Sequence, residues 1–315
     1  MNNAIIFIKN ENEEKLASAR ILGKQIVAYT VEQLKKSDID NIYLIGAKDL
    51  DCKDVLKRTD VKDVVNDIIQ HSGRSILMSP LYPFADQEIY HSLLNAKGSV
   101  TALNKGIFCE IFALDNDKLT CFEHEDITAY DIGNAGAKIS SLADVADYSA
   151  AMKRCINDKL LSKGVSIIDP DHTFIGPDVL IDKGTTIYPN VIIEGKCQIG
   201  CDNMLMPNSY FSNVVIGDRN YIEGCYLKDC IVKDDCSILN NATTVNLRGG
   251  ITLISSHAYI GAGATLIAPV KIGEYAIVAS GSTIDTDVRD GDMAISRLYQ
   301  TNKRGYGYKY MNREN

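Results

Sequence analysis

The sequence lacks both a long apolar run and the pattern of a secretory leader. Asn2 and Asn3 precede a short apolar stretch that ends at Lys9, whereas a secretory signal begins with positive charge and continues with a longer apolar core. No apolar stretch reaches the roughly 20 residues that a membrane-spanning helix needs. We therefore expect a cytoplasmic protein without a membrane partner.

An excess of positive charge is also missing. The 315 residues include 33 Lys and Arg against 41 Asp and Glu, a formal net charge of −8, and the pI is near 5.2. A chain of this sign is repelled by nucleic acid and by anionic membrane surfaces. The composition predicts no nucleic-acid partner, while a local basic pocket for a small anionic ligand remains compatible with it.

No cysteine pair has the CxxC spacing of a structural zinc site. The nine cysteines are an odd number, which argues against a full disulfide framework and fits a reducing compartment. A zinc cluster is conceivable within one group, Cys197, Cys201, Cys225, Cys230 and Cys236. The favoured interpretation is that these are small apolar side chains filling an interior, so no metal is expected.

The first 140 residues have the pattern of an α/β domain. Short apolar strands are predicted at residues 4–8, 42–45, 75–78 and 99–103. Amphipathic helices are predicted at residues 24–36, 61–70 and 86–96. Strands that alternate with helices indicate a mostly parallel sheet, and residues 106–138 are ambiguous.

A single long helix follows this domain and connects it to the rest of the chain. Ser140 and Ser141 are possible N-caps, and Gly164 is a suitable end. A length of 315 residues favours two domains. We place the α/β domain at residues 1–140, the linker helix at 141–164, a second domain at 165–290 and a C-terminal tail at 291–315.

The second domain has a period of six. One unbroken run of large apolar residues comprises Ile175, Ile181, Ile187, Ile193, Ile199, Leu205 and Phe211. After a one-residue slip the spacing continues at Ile216 and Ile222, and then at Val232 and Ile238. A second unbroken run comprises Ile254, Ile260, Leu266, Ile272, Val278 and Ile284, and smaller residues precede its later members by two positions.

Neither an α-helix nor a β-hairpin array has this period. It fits a triangular coil, in which each flat side takes six residues, the large apolar residue points inward and a turn forms each corner. Glycine directly follows several of the large residues, as at Gly200 and Gly217, and we expect it to supply unusual turn dihedrals. Repeats of this kind predict a parallel β-helix.

Several motifs resemble one bacterial family, the bifunctional N-acetylglucosamine-1-phosphate uridylyltransferases/glucosamine-1-phosphate N-acetyltransferases. Residues 152–170 read MKRCINDKLLSKGVSIIDP, similar to the family's linker helix and its entry into the first coil. Further matches are the TxIYPxVxIEG pattern within residues 182–195, LIAPV at 266–270, AISR at 294–297 and QTNKRG at 300–305. The resemblance is convincing from residue 152 to about residue 307 and weaker over residues 1–100.

The resemblance implies a nucleotidyltransferase-like α/β domain followed by a left-handed β-helix that forms a homotrimer. In the family, the N-terminal domain makes UDP-N-acetylglucosamine from UTP with magnesium. The C-terminal domain transfers an acetyl group from acetyl-CoA to glucosamine-1-phosphate. A nucleotide sugar or a sugar phosphate is the small-molecule partner that this resemblance implies.

This chain departs from the family at the uridylyltransferase site. Where the family has a glycine-rich LAAGxGTRM-type loop, residues 6–14 read IFIKNENEE, without glycine and with three acids. Leu81 takes the position of a magnesium-binding Asp, and Ser140 aligns with an Asn that is the second ligand. Leucine cannot coordinate magnesium, which binds oxygen ligands. We therefore expect that magnesium binding and uridylyl transfer are lost.

The acetyltransferase site is only partly retained. The coils that hold the family's catalytic His, its Tyr and its phosphate-binding Arg and Lys are deleted between residues 239 and 240. By resemblance, Asn246 lies near the acetyl group, and Ser280, Arg297 and Lys303 bind the cofactor acetyl-CoA. His257 is the one histidine in the second run of coils and is a candidate substitute base, although an exposed turn residue is the plainer interpretation.

Two functions follow as alternatives. The first is acetyl-CoA-dependent acyl transfer to a sugar phosphate or related acceptor. The second is a non-catalytic trimeric protein that binds a nucleotide sugar or coenzyme A. The cations of the tail, Arg297, Lys303 and Arg304, fit a phosphate-binding cluster and equally a solvated terminus.

Overall fold

The protein divides into two compact units in a computed structural model. Unit 1 comprises Met1–Lys153 and unit 2 comprises Arg154–Asn315. The structure describes residues 1–47, 50, 55–83, 85, 87–104, 107–124, 127–133, 138–247 and 249–296. Over these residues no helix is both long and apolar enough to cross a membrane.

Unit 1 is a mixed seven-stranded sheet with helices. Its strands are β1 (Asn3–Phe7), β2 (Arg20–Ile21), β3 (Lys24–Gln25), β4 (Asn41–Ile45), β5 (Leu56–Arg58), β6 (Arg74–Met78), β7 (Val100–Asn104), β8 (Ile107–Asp115) and β9 (Thr128–Gly133). Its helices are α1 (Glu11–Ser18), α2 (Ile26–Lys35), α3 (Val61–Ile68), α4 (Gln87–Asn95) and a 3-10 helix (Asn116–His124). The sheet has the strand order β5-β4-β1-β6-β8-β7-β9, and β2 and β3 form a separate hairpin.

The centre of this sheet is parallel, as its sequence predicted. Strand β1 pairs in parallel with β4 on one side and with β6 on the other. Ala4, Ile5 and Ile6 are buried, because strands covered on both faces need apolar residues at successive positions. Strand β8 is antiparallel to both β6 and β7. This element lies in the region that the sequence pattern left ambiguous.

Helix α5 (Leu142–Ser162) follows unit 1's sheet and enters unit 2. Ser141 caps it reciprocally with Asp144: the Asp144 N–H donates to Ser141 Oγ, and the Ser141 N–H donates to the Asp144 carboxylate, a capping box. Within unit 2, the buried Asn157 side chain donates to the carbonyls of Pro170 and Thr173. That amide fixes the helix to the first coil.

Unit 2 is a parallel β-helix of about seven coils built from three sheets. The eight-stranded sheet contains β10 (Ser166–Ile167), β13 (Thr186–Ile187), β16 (Met204–Leu205), β19 (Tyr221–Ile222), β22 (Ser237–Ile238), β25 (Tyr259–Ile260), β28 (Ile277–Val278) and β30 (Met293–Ala294). The seven-stranded sheet contains β11 (Phe174–Ile175), β14 (Ile192–Glu194), β17 (Tyr210–Ser212), β20 (Tyr226–Lys228), β23 (Thr243–Asn246), β26 (Thr265–Ala268) and β29 (Thr283–Ile284). The six-stranded sheet contains β12 (Leu180–Ile181), β15 (Gln198–Ile199), β18 (Val215–Ile216), β21 (Cys230–Val232), β24 (Thr252–Ile254) and β27 (Val270–Ile272).

From β10 to β29, every third strand therefore belongs to the same sheet. The register keeps the six-residue repeat aligned, so that Ile187 pairs with Leu205 and Leu205 with Ile222. All the large residues of the repeat are buried, and so are the smaller residues that precede them. The predicted β-helix and its inward-facing residues are confirmed.

The glycines that follow the large apolar residues have a different role from the one predicted. Among Gly200, Gly217, Gly261 and Gly273, none has φ in the left-handed region. The left-handed residue lies two positions later in each case, at Asp202, Arg219, Gly263 and Tyr275. Glycine is needed here for space, because a Cβ on Gly217 would lie 2.1 Å from Asp234 Oδ1 of the next coil.

We expect Gly217→Ala to destabilise unit 2 by about 1–3 kcal/mol. The new methyl would displace the Asp234 carboxylate, which accepts a 2.8 Å hydrogen bond from the Asp218 N–H. Thermal unfolding of the two single variants and of the double variant Gly217→Ala/Asp234→Ala forms a double-mutant cycle. The cost of Gly217→Ala should shrink in the Asp234→Ala background. Equal costs in both backgrounds would contradict this explanation.

Candidate functional sites

The carboxyl ends of β1, β4 and β6 lie at one edge of the sheet of unit 1. After β1 the chain continues to β4 on one side, and β6 then lies on the other side of β1. The order therefore reverses between β1 and β6, and such a switch point is where open α/β sheets bind ligands. The residues that follow these two strands, Ile8 to Asn10 and Ser79 to Tyr82, are the first candidates for a site.

A carboxylate of the chain occupies this edge. Glu13 lies in the first turn of α1, is only 6% exposed, and accepts a 2.7 Å hydrogen bond from the Lys9 N–H and another of 2.7 Å from Ser79 Oγ. Asn10 caps the same helix by accepting from the Glu13 N–H at 3.0 Å. The three acids noted in the sequence thus belong to a helix start, where negative charge is favourable.

A second carboxylate nearby is paired with two lysines. Lys9 Nζ lies 3.0 Å and Lys138 Nζ 2.7 Å from oxygens of Glu110. Partial burial raises the pKa of Glu110, but the hydrogen bonds from the two lysines outweigh this effect and hold its pKa below the ordinary value. Beside it, Tyr82 is buried, and its pKa is raised to about 12, mainly by desolvation.

By resemblance, Leu81 and Ser140 take the positions of the family's magnesium ligands, and neither has a carboxylate or an amide side chain. Leu81 is 2% exposed and belongs to the apolar core of unit 1. Ser140 is exposed, and its N–H donates to Asp144 at the start of α5. Among the described residues, no group of three or more His, Cys, Asp or Glu side chains is placed to hold a metal ion.

The cysteines of the β-helix are interior side chains. Cys197, Cys225, Cys230 and Cys236 are buried in the core of unit 2. Desolvation raises the pKa of the Cys225 and Cys230 thiols to about 12 and that of Cys236 to about 11. A metal needs the thiolate form, so these environments favour apolar packing, the interpretation preferred from the sequence.

The candidate residues of the β-helix lie at three different corners. Asn246 ends β23, where the chain passes from the seven-stranded to the six-stranded sheet; His257 lies between β24 of the six-stranded sheet and β25 of the eight-stranded sheet. Ser280 lies between β28 and β29, from the eight-stranded to the seven-stranded sheet. Arg297 and Lys303 lie outside the described residues.

His257 belongs to a column of side chains along its corner. Its backbone is left-handed (φ 61°), as are those of Arg219, Asp235 and Tyr275 in neighbouring coils. The imidazole stacks on the Tyr275 ring with centroids 4.5 Å apart, and its Nδ1 lies 4.0 Å from Asp235 Oδ2. Asp235 accepts two hydrogen bonds, of 2.7 and 2.8 Å, from the Arg219 guanidinium. The ring is thus positioned by stacking, and its side chain remains 37% exposed.

Asn246 is exposed beside a protruding turn. Its Nδ2 donates to the Gly250 carbonyl at 3.0 Å, and Leu247 and Ile251 in this turn are 72% and 54% exposed. A Cβ on Gly250 would lie 2.9 Å from Pro269 Cβ, so the turn is packed on the next coil. Ser280 is also exposed, and a Cβ on Gly261 would lie 2.5 Å from its backbone nitrogen.

From β21 to β23 the chain passes through β22 with short connections and no inserted loop. The deletion of family coils at this point stays a prediction. Sequence reasoning missed Glu13, Glu110 and Lys138 in unit 1, and the column around His257. It also missed an open cleft of about 340 Å³ at the last coil, lined by Thr283, Asp285, Arg289, Asp292, Met293 and Ser296 among others. The sequence signal for this cleft is the acidic run with one arginine at residues 285–292.

The chain is similar to a family model and to several known proteins. The family model "Bacterial transferase hexapeptide (six repeats)" matches residues 251–286. The chain is 32% identical over 212 residues to the bifunctional protein GlmU of an Exiguobacterium species, covering 50% of this chain and 47% of that protein. It is 27% identical over 313 residues to the bifunctional protein GlmU of Listeria monocytogenes, covering 79% of this chain and 67% of that protein.

The chain therefore spans about half to two thirds of the length of these relatives. Among solved structures, 4-diphosphocytidyl-2C-methyl-D-erythritol synthase from Anaerococcus prevotii aligns with 49% of this chain and 96% of its own, at 15% identity and a TM-score of 0.38.

Proposed function

We propose that this chain, a distant and shortened relative of the bifunctional GlmU proteins, binds acetyl-CoA on its β-helix and transfers the acetyl group to a sugar phosphate or related acceptor. We further propose that unit 1 performs no uridylyl transfer. The observation that carries the proposal is a contrast in accessibility. Asn246, His257 and Ser280 are exposed, whereas Leu81 is buried and the polar groups beside it are engaged within the chain.

Acetyl transfer to an amine requires few groups. The amine nitrogen attacks the thioester carbonyl, a C–N bond forms, the C–S bond breaks, and coenzyme A leaves as a thiolate that takes up the proton lost by the amine. A base near the nitrogen and a hydrogen-bond donor near the carbonyl oxygen accelerate this step. In this proposal the exposed Asn246 is near the acetyl group, and His257 is the base.

Both histidines of unit 2 are exposed, and His257 suits the role of base better than His172 because of its position in the coils. His257 is held between Tyr275 and Asp235, with Nδ1 facing the carboxylate. This leaves Nε2 as the nitrogen for proton transfer. His172, at the entry to the first coil, is bonded to Asp169 at 2.8 Å, far along the chain from the coils that contain Asn246 and Ser280.

A second copy of the chain is part of the proposal. Within one chain Asn246, His257 and Ser280 are at three corners, so one active site needs a corner of one β-helix beside another β-helix. The outer face of the eight-stranded sheet also exposes large apolar side chains at Met204, Tyr259, Ile277 and Met293. Parallel sheets are usually covered on both faces, and a trimer would cover such positions.

The alternative is a trimeric binding protein without catalysis. It is favoured by the environment of His257, since Asp235 is already neutralised by Arg219 and is 4.0 Å away rather than hydrogen-bonded. It is also favoured by the short connections between β21 and β23. In this alternative the β-helix binds a nucleotide sugar or coenzyme A as a regulatory ligand.

We expect a trimer in solution. Sedimentation equilibrium at micromolar concentration should give about three times the chain mass of 34.6 kDa. Ile277→Asp would place a charge on the apolar outer face and should shift the mass towards that of one chain. Leu142→Asp, on an exposed position at the start of α5, is the matched control and should leave the mass unchanged. A stable monomer of the unmodified chain would contradict the proposal.

Unit 1 should release no pyrophosphate from UTP and N-acetylglucosamine-1-phosphate with magnesium. The reason is the buried Leu81 and the internal pairing of Glu13, Lys9 and Lys138. A coupled pyrophosphate assay of the full chain checks this. Turnover that EDTA abolishes would show that a metal site exists. Leu81 and Ser140 would then be wrongly aligned with the family's magnesium ligands.

Calorimetry should detect binding of acetyl-CoA by the full chain. By resemblance Arg297 contacts the cofactor phosphates, and losing such a charge-assisted bond costs about 1.5–3 kcal/mol. Arg297→Ala should therefore weaken binding about ten- to a hundred-fold. Arg154→Ala, which removes an equal charge from the exposed side of α5, is the matched control.

The same measurement separates the two candidate functions. His257→Ala should leave acetyl-CoA binding unchanged and lower the rate of acetyl transfer to glucosamine-1-phosphate or a related acceptor. If the chain binds UDP-N-acetylglucosamine but gives no heat with acetyl-CoA, the transferase proposal fails and the binding protein takes its place.

A further inference from the structure

We infer that unit 1 contains an oxyanion-binding site at its switch point and that the carboxylate of Glu13 is its internal ligand. This property of unit 1 does not depend on acetyl transfer by unit 2. Glu13 is 6% exposed, yet it belongs to the first turn of a helix at the ligand-binding edge of the sheet.

The groups that hold this carboxylate are those that would hold a phosphate. The Lys9 N–H follows β1, and the Ser79 hydroxyl follows β6, so the two donors come from the two strands that flank the switch point. Both donate at 2.7 Å, a short distance that is typical of hydrogen bonds to an ionised acceptor. A backbone N–H next to a helix N-terminus is a common donor to phosphate oxygens.

The burial of the Glu13 carboxylate makes its two hydrogen bonds important for stability. An ionised carboxylate loses several kcal/mol of hydration when it is buried, and it remains charged only if hydrogen bonds or counter-charges replace the water. Glu13 receives one bond on each carboxylate oxygen, from Ser79 on Oε1 and from Lys9 on Oε2. An external oxyanion would need the same donors and would bring a second negative charge to the same place.

The nearby cations are also engaged within the chain. Lys9 and Lys138 both pair with Glu110. The backbone N–H of Lys9 thus binds one carboxylate, and its ammonium group binds another. A phosphate that approached this edge would have to displace Glu13 from two donors and draw a lysine away from Glu110.

Unit 1 is therefore self-liganded. The class of ligand that the site takes is a small oxyanion, whether carboxylate or phosphate, and an external one binds once the Glu13 carboxylate is removed. This explains why the loop tolerates the absence of glycine, since no substrate phosphate has to approach its backbone.

The test is chemical rescue of Glu13→Ala in the full chain. This variant keeps both donors and creates space for an anion. Its thermal midpoint in chloride should fall by about 5 °C, and sodium formate or inorganic phosphate at equal ionic strength should restore part of the loss with a saturable dependence on concentration. The unmodified chain should show no saturable shift. Equal stabilisation of both proteins by these anions would overturn the inference.

Two further variants keep the test decisive. Glu13→Ala/Ser79→Ala lacks the hydroxyl donor and should bind the rescuing anion about ten- to a hundred-fold more weakly; undiminished binding would also overturn the inference. If Glu13→Ala does not fold, Glu13→Met fills the space without an oxygen acceptor and serves instead. Hydrogen exchange of the peptide that contains Lys9 should then be faster than in the unmodified chain, and unchanged protection would contradict the proposed bond. Acetyl-CoA binding, measured on the same samples, tests the proposed function of unit 2 independently of the anion site in unit 1.

Discussion

The stacking of large apolar side chains inside the coils determines where every other residue of unit 2 lies. Each coil contributes an inward residue to all three sheets, and Ile187, Leu205 and Ile222 show how successive coils pair in register. With the repeat fixed, the residues between the inward positions must face outward or form corners. Most corners contain a left-handed residue, which is Asp, Asn, Arg, His, Tyr or Gly here. His257 occupies such a position, so its left-handed backbone reflects the coil geometry and is by itself no sign of catalysis.

In unit 1 the corresponding constraint is electrostatic. A sheet whose order reverses between β1 and β6 leaves polar donors at its carboxyl edge, and these donors need acceptors. The chain supplies acceptors of its own: Glu13 for the Lys9 N–H and Ser79, and Glu110 for the two lysines. The apolar Leu81 is accommodated because it packs into the core rather than facing the edge. Internal hydrogen bonds and ion pairs thus satisfy these polar groups at the edge of the sheet.

The sequence predicted the fold more completely than the site, for physical reasons. The six-residue repeat recurs over many coils, so the one-residue slip after Phe211 does not obscure it. The strands β1, β4 and β6 were recognisable because they are buried on both faces and therefore continuously apolar. Helix α1 was missed because its first turn is a run of acids, which in isolation resembles a charged loop. The role of Gly217 was also misassigned, since its cause is Asp234, a residue of the next coil that adjacent sequence does not reveal. Pairings such as Glu13 with Ser79 join residues 66 positions apart, and periodicity carries no information about them.

The distribution of candidate residues over three corners also limits what a single chain can do. In the described coils the inward positions are filled by packed apolar side chains, so we place the site on the surface of the β-helix or between two copies of it. Asn246 and Ser280 are exposed at different corners, and the protruding turn beside Asn246 presents Leu247 and Ile251 to solvent. An apolar turn next to an exposed amide is unfavourable in water and favourable against another chain. Both candidate functions proposed above, acetyl transfer and ligand binding, therefore require that the corners of neighbouring chains meet.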